Sequence, residues 1–238
     1  MKTKDFFQRT YVINLPSRTD RRRAMERELR RAGLPPAPGR VEFFPAIRPD
    51  DPGPFPSIGV RGCYESHVGV LRQAREQGWR NVLIMEDDLT IADRYRDAED
   101  RLMAQLAGQD WDFVYFGHTL ELPPTDGAPV LQPFPGPIVT AHFYGINARV
   151  LGPLLDALDL MRARPPGHPD GGPMHIDAAY TTFRAQNPEV VTLVANPNLG
   201  WQRSSRSDIH ASRWFDHTPG FRELVNWLRA GRSKLRGH

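Results

Sequence analysis

Val82-Leu83-Ile84-Met85 runs without a break into Glu86-Asp87-Asp88. Four consecutive apolar residues with no polar alternation describe a short strand buried on both faces, as parallel sheets require. Three adjacent carboxylates cannot share that environment, because mutual repulsion and desolvation both oppose it. They mark the point where the strand leaves the sheet and meets positive charge. A divalent cation answers that need, and hard oxygen ligands favour Mg or Mn. The competing explanation is a solvated acidic turn with Asp88 as a cap. The apolar run before the acids favours a functional edge, and with it an enzyme that handles a metal-bound phosphate ester.

The flanking pattern makes this an α/β chain. Tyr11 to Leu15 reads as a buried strand. Pro16 to Asp20 breaks it, and a helix capped by Thr19 or Asp20 follows, with Met25, Leu29 and Ala32 on one stripe and Gly33 at its end. Val41 to Phe44 is the next strand, and strand–helix–strand is the mark of a parallel unit. A Pro/Gly/Asp-rich loop over 48–61 precedes a helix from Cys63 to Gln77 with Cys63, His67, Val70 and Ala74 on one face. Asp93 is expected to cap a helix carrying Tyr95, Ala98, Leu102 and Leu106. Strands are expected over Phe113–Phe116, Ile138–Ile146 and Val190–Ala195. Helices are expected over Ala148–Met161 and Pro173–Phe183, with a surface excursion over Leu122–Pro137 and a lid-sized loop over Arg164–Pro173.

At 238 residues the chain suits one large domain, expected over 1–218, with a basic amphipathic helix over 219–238. That last stretch holds Arg222, Arg229, Arg232, Lys234 and Arg236 against Glu223, enough to account for the formal charge of +3. A basic end suits an anionic lipid surface or an anionic substrate, and equally a solvated end of the chain. A single cysteine excludes an internal disulfide and points to a reducing cytoplasm. No apolar leader and no membrane-spanning run is visible, so the expectation is a cytoplasmic protein with peripheral contact at the inner membrane face. The remaining arginines alternate with acids along helices, the pattern of a solvated face, and nucleic acid is not an expected partner.

Other residues cluster around the acidic edge in this reading. Asn14, Leu15, Arg18 and Arg21 lie where the first strand ends and a helix begins, a place for backbone N–H groups and arginines to meet a nucleotide phosphate, although on these residues alone ordinary capping with solvated arginines is the stronger reading. Ser66 and His67 sit near the start of a helix facing the same edge, where His67 could touch a phosphate or hold a neighbouring acid, though a lone histidine on an apolar face is more often a hydrogen-bonded core residue. Asp177, at the mouth of a later helix, is a candidate general base for an acceptor hydroxyl, with Glu65 and Asp112 as rivals. The polar run Gln202–His210 supplies arginines for phosphate and His210 as a late metal ligand, with His217 competing for that role. Cys63 reads as packing, since no base is spaced to activate it.

These motifs together resemble glycosyltransferase family 25, the lipooligosaccharide galactosyltransferase type related to collagen galactosyltransferases. The likeness is carried by Val12-Ile13-Asn14-Leu15 with Arg18, Asp20 and Arg21, and by Phe44-Pro45-Ala46. It continues through Gly62-Cys63 with Ser66-His67, Glu86-Asp87-Asp88, Tyr144-Gly145-Ile146, Asp177 and Ser207-Asp208-Ile209. The resemblance implies a GT-A type, Rossmann-like fold with a mixed, mainly parallel sheet flanked by helices. It implies a UDP-sugar donor, a Mn or Mg ion, and inverting transfer of a hexose such as galactose to a glycan or glycolipid of the bacterial lipopolysaccharide kind. On that likeness Asp88, Glu86 and His210 hold the metal, Asn14, Leu15, Arg18, Arg21, Ser66, His67, Glu86 and Asp87 line the donor site, and Asp177 is the base. The alternatives are a metal-dependent phosphoesterase or nuclease, and a binding module of the same fold without turnover.

Overall fold

In a computed structural model, residues 1–125 and 127–203 are described. His210, His217, Ser207 to Ile209 and the expected terminal helix over 219–238 lie outside them. A short helix α1 (Thr3–Phe6) leads into β1 (Arg9–Asn14), α2 (Thr19–Arg31), β2 (Val41–Pro45), α3 (Ile58–Glu76) and β3 (Asn81–Glu86). After β3 come β4 (Leu89–Ile91), α4 (Asp93–Ala107), β5 (Phe113–Tyr115), β6 (Val130–Pro133) and β7 (Phe143–Asn147). The order closes with α5 (Ala148–Ala163), α6 (Ile176–Gln186), β8 (Thr192–Asn196) and β9 (Gly200–Gln202).

Seven strands form one sheet in the order β2-β1-β3-β7-β5-β8-β6, and β4 pairs with β9 as a separate ribbon. The strands β2, β1, β3, β5 and β8 run in one direction, while β7 in the middle and β6 at the edge oppose them. This is the α/β, mixed and mainly parallel architecture expected, with helices on both faces. Along β3 the side chains alternate between two cores. Val82 and Ile84 join the layer of α3, α5 and α6, and Leu83 and Met85 join the layer of α2 and α4. Burial on both faces is why this strand has no polar alternation.

Several boundaries differ from the sequence expectation, each for a local reason. The N-cap of α2 is Arg18, with no side-chain cap, because Asp20 turns back to pair with Arg18 at 2.8 Å. Helix α3 starts at Ile58, ahead of Cys63, because Ser57 caps it by accepting from the Val60 N–H. Ala92 caps α4, and Asp93 instead pairs with Arg31. The Leu122–Pro137 excursion contains β6, which borders β8 with Leu131 opposite Ala195. The strand expected from Ile138 begins only at Phe143, since Ile138 bonds the Thr181 hydroxyl through its N–H and carbonyl. Helix α6 begins at Ile176 behind His175, which makes Asp177 a first-turn residue and not the cap.

Candidate active site at the carboxyl edge of the sheet

Parallel strands deliver their last residues to one edge, where ligands of open α/β sheets bind. Ile13 stands opposite Glu86 in the β1–β3 register, so Asn14 and Asp87 leave the sheet side by side. The antiparallel β7 starts at the same edge, with the Glu86 N–H donating to the His142 carbonyl at 3.0 Å. The β4–β9 ribbon folds back over β3 and brings in Gln202 and Arg203. Gln202 Nε2 donates to Glu86 Oε2 at 2.7 Å. Arg203 donates its backbone N–H to the Asp88 carbonyl at 2.7 Å and its guanidinium to the Asp87 carbonyl at 2.9 Å.

The three carboxylates have different surroundings. Asp87 is buried, accepting from Asn14 Nδ2 at 2.7 Å and from Arg21 Nη1 at 2.9 Å. Asn14 Nδ2 also reaches the Arg18 carbonyl at 3.3 Å, so Asp87 ties the β1–α2 turn to the end of β3. Asp88 Oδ2 lies 3.6 Å from Arg21, while Asp88 Oδ1 is buried with no hydrogen-bond partner among the described residues. Burial, with Glu86 and Asp87 adding repulsion against the attraction of Arg21 and Arg203, pushes the Asp88 carboxyl up to about 7. Burial also acts upward on Glu86, but the neighbouring His67 and His142, with the Gln202 hydrogen bond, outweigh it and leave this carboxyl below its usual range. The edge therefore holds one carboxylate satisfied by Asn14 and Arg21, one held below its usual range, and one raised by burial with an oxygen left without a hydrogen bond among the described residues.

Asp177 is brought to the same region by the start of α6. Its Oδ1 accepts from the Ala178 N–H at 2.8 Å. Burial, with Glu86 nearby, raises its carboxyl to about 6. The rivals are placed elsewhere. Asp112 precedes β5, at the opposite edge, and is held by Arg149 and the Val191 N–H. Glu65 is paired with Arg61 at 2.8 Å, one turn back on α3. His67 is 1% exposed and 3.4 Å from Glu86 Oε1. Ser66 does not reach the edge: it is fully buried, its hydroxyl donating to the Gly62 carbonyl and accepting from the Ile47 N–H. Arg18 turns its guanidinium to Asp20, holding that carboxyl well below the usual range. The Arg164–Pro173 loop is braced by Arg164 Nη1 on the Asp170 carbonyl at 2.6 Å.

Three residues at the edge escape sequence reasoning. His142 donates to the Gly200 carbonyl at 3.2 Å, and burial lowers its pKa against the upward pull of Glu86 and of that hydrogen bond. Tyr144 OH bonds His67 Nδ1 at 2.7 Å and Tyr180 OH at 2.9 Å. In the sequence Tyr144 enters only through the Tyr144-Gly145-Ile146 likeness and Tyr180 lies in an apolar stretch, so the contact of either with His67 goes unsignalled. Cys63 stays a protonated thiol, because burial and then Glu86, Asp177 and Asp88 push it well up. That excludes it as a nucleophile in this environment.

Fold and edge together define a class: an α/β protein whose strands present carboxylates, an arginine and an asparagine where nucleotide-dependent enzymes hold their ligands. No family model matches the chain. Among curated proteins it is 27% identical over 177 residues to the inactive glycosyltransferase 25 family member 3 of Mus musculus, covering 67% of this chain and 29% of that one. It is 26% identical over 129 residues to procollagen galactosyltransferase 1 of Danio rerio, covering 47% and 21%. It is 32% identical over 107 residues to a putative glycosyltransferase of Acanthamoeba polyphaga mimivirus, covering 39% and 32%. Relatives named as glycosyltransferase 25 family members thus recur among the similar curated proteins, at low identity, and the chain spans under a third of the length of the mouse relative. A solved glycosyltransferase involved in glycosylating the major capsid of PBCV-1 covers 78% of this chain and 91% of its own at 10% identity. Its TM-score is 0.40, a likeness too slight to transfer any detail.

Proposed function

We propose that this chain transfers a hexose such as galactose from a UDP-sugar to a hydroxyl of a glycan or glycolipid, with inversion and with the help of a Mn or Mg ion. One observation carries the reading: the buried, unpartnered Oδ1 of Asp88 at a strand end crowded with carboxylates. An all-oxygen donor set of Asp88 and Glu86 fits a hard divalent cation, and the high carboxyl of Asp88, raised by burial and then by Glu86, is one that a cation would bring down. Bound there, such an ion would neutralise charge on a departing nucleoside diphosphate. Asp87 acts as a strut, fixing Asn14 and Arg21 against the edge so that the β1–α2 turn and the N-terminus of α2 face the donor phosphates. Asp177 takes the acceptor hydroxyl proton onto its carboxylate. A carboxyl near 6 is ionised at neutral pH yet more basic than an exposed aspartate, which suits that task.

The test is titration of the protein with UDP, with and without Mn, in the wild type and Asp88→Ala. Binding that needs Mn and vanishes in the variant supports the donor site. No UDP binding in either condition sinks the UDP-sugar reading. A second reading, donor binding without turnover, draws on the word inactive in the name of the mouse relative. It predicts Mn-dependent UDP binding but no release of UDP from any UDP-hexose offered with glycan acceptors. A phosphoesterase or nuclease would usually draw more His and Asp ligands onto two metals, and among the described residues the group of three or more such side chains that could hold an ion is Cys63, His67 and Glu86. The basic stretch 219–238 supports a peripheral contact with an anionic inner membrane face, which co-sedimentation with anionic vesicles tests.

A further inference from the structure

We propose a second cation site, for a borderline-soft divalent ion such as zinc, formed by Cys63 Sγ, His67 Nε2 and Glu86 Oε1. It shares Glu86 with the donor edge but does not depend on the sugar-transfer reading. The three ligand atoms lie within 4.8 Å of one another. Cys63 and His67 are one helical turn apart on α3, which places them on one face toward the end of β3.

His67 carries the argument. Its ring is 1% exposed, and its Nε2 has no hydrogen-bond partner among the described residues although Glu86 Oε1 is 3.4 Å away. Its other nitrogen is engaged: Nδ1 meets Tyr144 OH at 2.7 Å, and Tyr144 OH continues to Tyr180 OH at 2.9 Å. Metal-bound imidazoles are oriented in this way, by a partner on the nitrogen that does not face the ion. With an ion bound, Nδ1–H would donate to Tyr144, and the Nε2 lone pair, the Glu86 carboxylate and the Cys63 sulfur would meet at the cation; without one, Nε2 faces Glu86 as a donor at a long 3.4 Å. Zinc holds its ligand atoms about 3.4–3.6 Å apart, given bonds of roughly 2.0–2.3 Å in tetrahedral array, so small side-chain rotations close the site. On binding, Cys63 releases its thiol proton to solvent and the thiolate bonds the metal. Sulfur and imidazole select zinc over Mg or Mn, which separates this site from the all-oxygen pair of Asp88 and Glu86. Glu86 Oε2 stays on Gln202 while Oε1 turns to the soft ion, so zinc occupancy withdraws Glu86 from the donor-side cation.

The test is a Co(II) titration of the reduced, full-length protein without nucleotide, followed by absorption spectroscopy. The chain has one cysteine, so any thiolate-to-cobalt charge-transfer band in the near ultraviolet belongs to Cys63. The expected result is a saturable band with one equivalent, bleached by Zn(II) and not produced by Mn(II). Cys63→Ser should abolish the band. Glu86→Gln should keep it but weaken Co(II) binding at least about tenfold. Co(II) binding without the band in the wild type, or with equal affinity in wild type and Cys63→Ser, overturns the proposal. Neither readout requires UDP binding, so failure of the donor reading leaves this test intact, and the reverse also holds.

Discussion

Asp177 shows what burial does to a single carboxyl. Free in a chain, an aspartic acid titrates near 3.8, and here it is held up to about 6. Between those values the folded chain keeps a proton that the unfolded chain has released. Stability contributed at this residue is therefore complete below pH 4 and is lost as pH rises through about 6. Asp177→Asn should flatten that part of the stability-versus-pH curve and raise stability at pH 7, measured by urea unfolding at several pH values. If Asp177 is the base, sugar transfer should also rise with pH through about 6 in the wild type and fall by a factor of about 10²–10⁴ in the variant. An unchanged rate in Asp177→Asn would remove it from the mechanism. At this scale the sequence was informative about acids and poor about their neighbours. Three adjacent carboxylates after an apolar run are legible because a core has no use for them. The bracing roles of Tyr144 and His142 are not legible, because a tyrosine or histidine in an apolar stretch looks the same whether it braces a site or fills a core.

Elements were read from periodicity, and they failed where periodicity stops. β1, β3, α2 and α4 carry clean apolar stripes and came out within a few residues. β6 was hidden in a proline-rich stretch, because an edge strand needs only one partner and tolerates Pro133 at its end. The β4–β9 ribbon was missed because three residues are too few to show any pattern, yet it is what carries Gln202 and Arg203 to the acids. Close approach of strands also leaves a mark in β7. A Cβ on Gly145 would lie 2.6 Å from Phe7 and 2.9 Å from Val114. The Phe7 ring is fixed between Phe6, Trp111 and Phe116 and cannot swing away. Gly145→Ala should therefore cost about 1–3 kcal/mol by overpacking. The measurement is thermal unfolding, in which a chain of this size loses roughly 2–4 °C per kcal/mol. An unchanged melting temperature would show that the sheet relaxes at this point and that the glycine is not there for close packing.

For the molecule as a whole, the acidic edge sets function against stability. Asp88 is half-buried among like charges, and its carboxyl near 7 means that the ionised form is unfavourable in the folded state. Without a cation, Asp88→Asn removes that repulsion at little cost in volume, and the variant should melt above the wild type at pH 8. At pH 5 the wild-type carboxyl is mostly protonated, so the gap should shrink there. Adding Mn and UDP should reverse the order. A ligand at 100 times its Kd stabilises the folded state by about 2.7 kcal/mol, some 5–10 °C for a chain of this length. The wild type gains that shift, while the variant, with a neutral amide in place of one of the two ligating carboxylates, gains less. Two melting curves crossing on addition of Mn and UDP would tie the strain at Asp88 to ligand binding, because a merely structural aspartate gives no reason for the ligand to rescue one protein and not the other. Parallel shifts in both proteins would mean that the ion sits elsewhere and that Asp88 is only a poorly solvated turn residue.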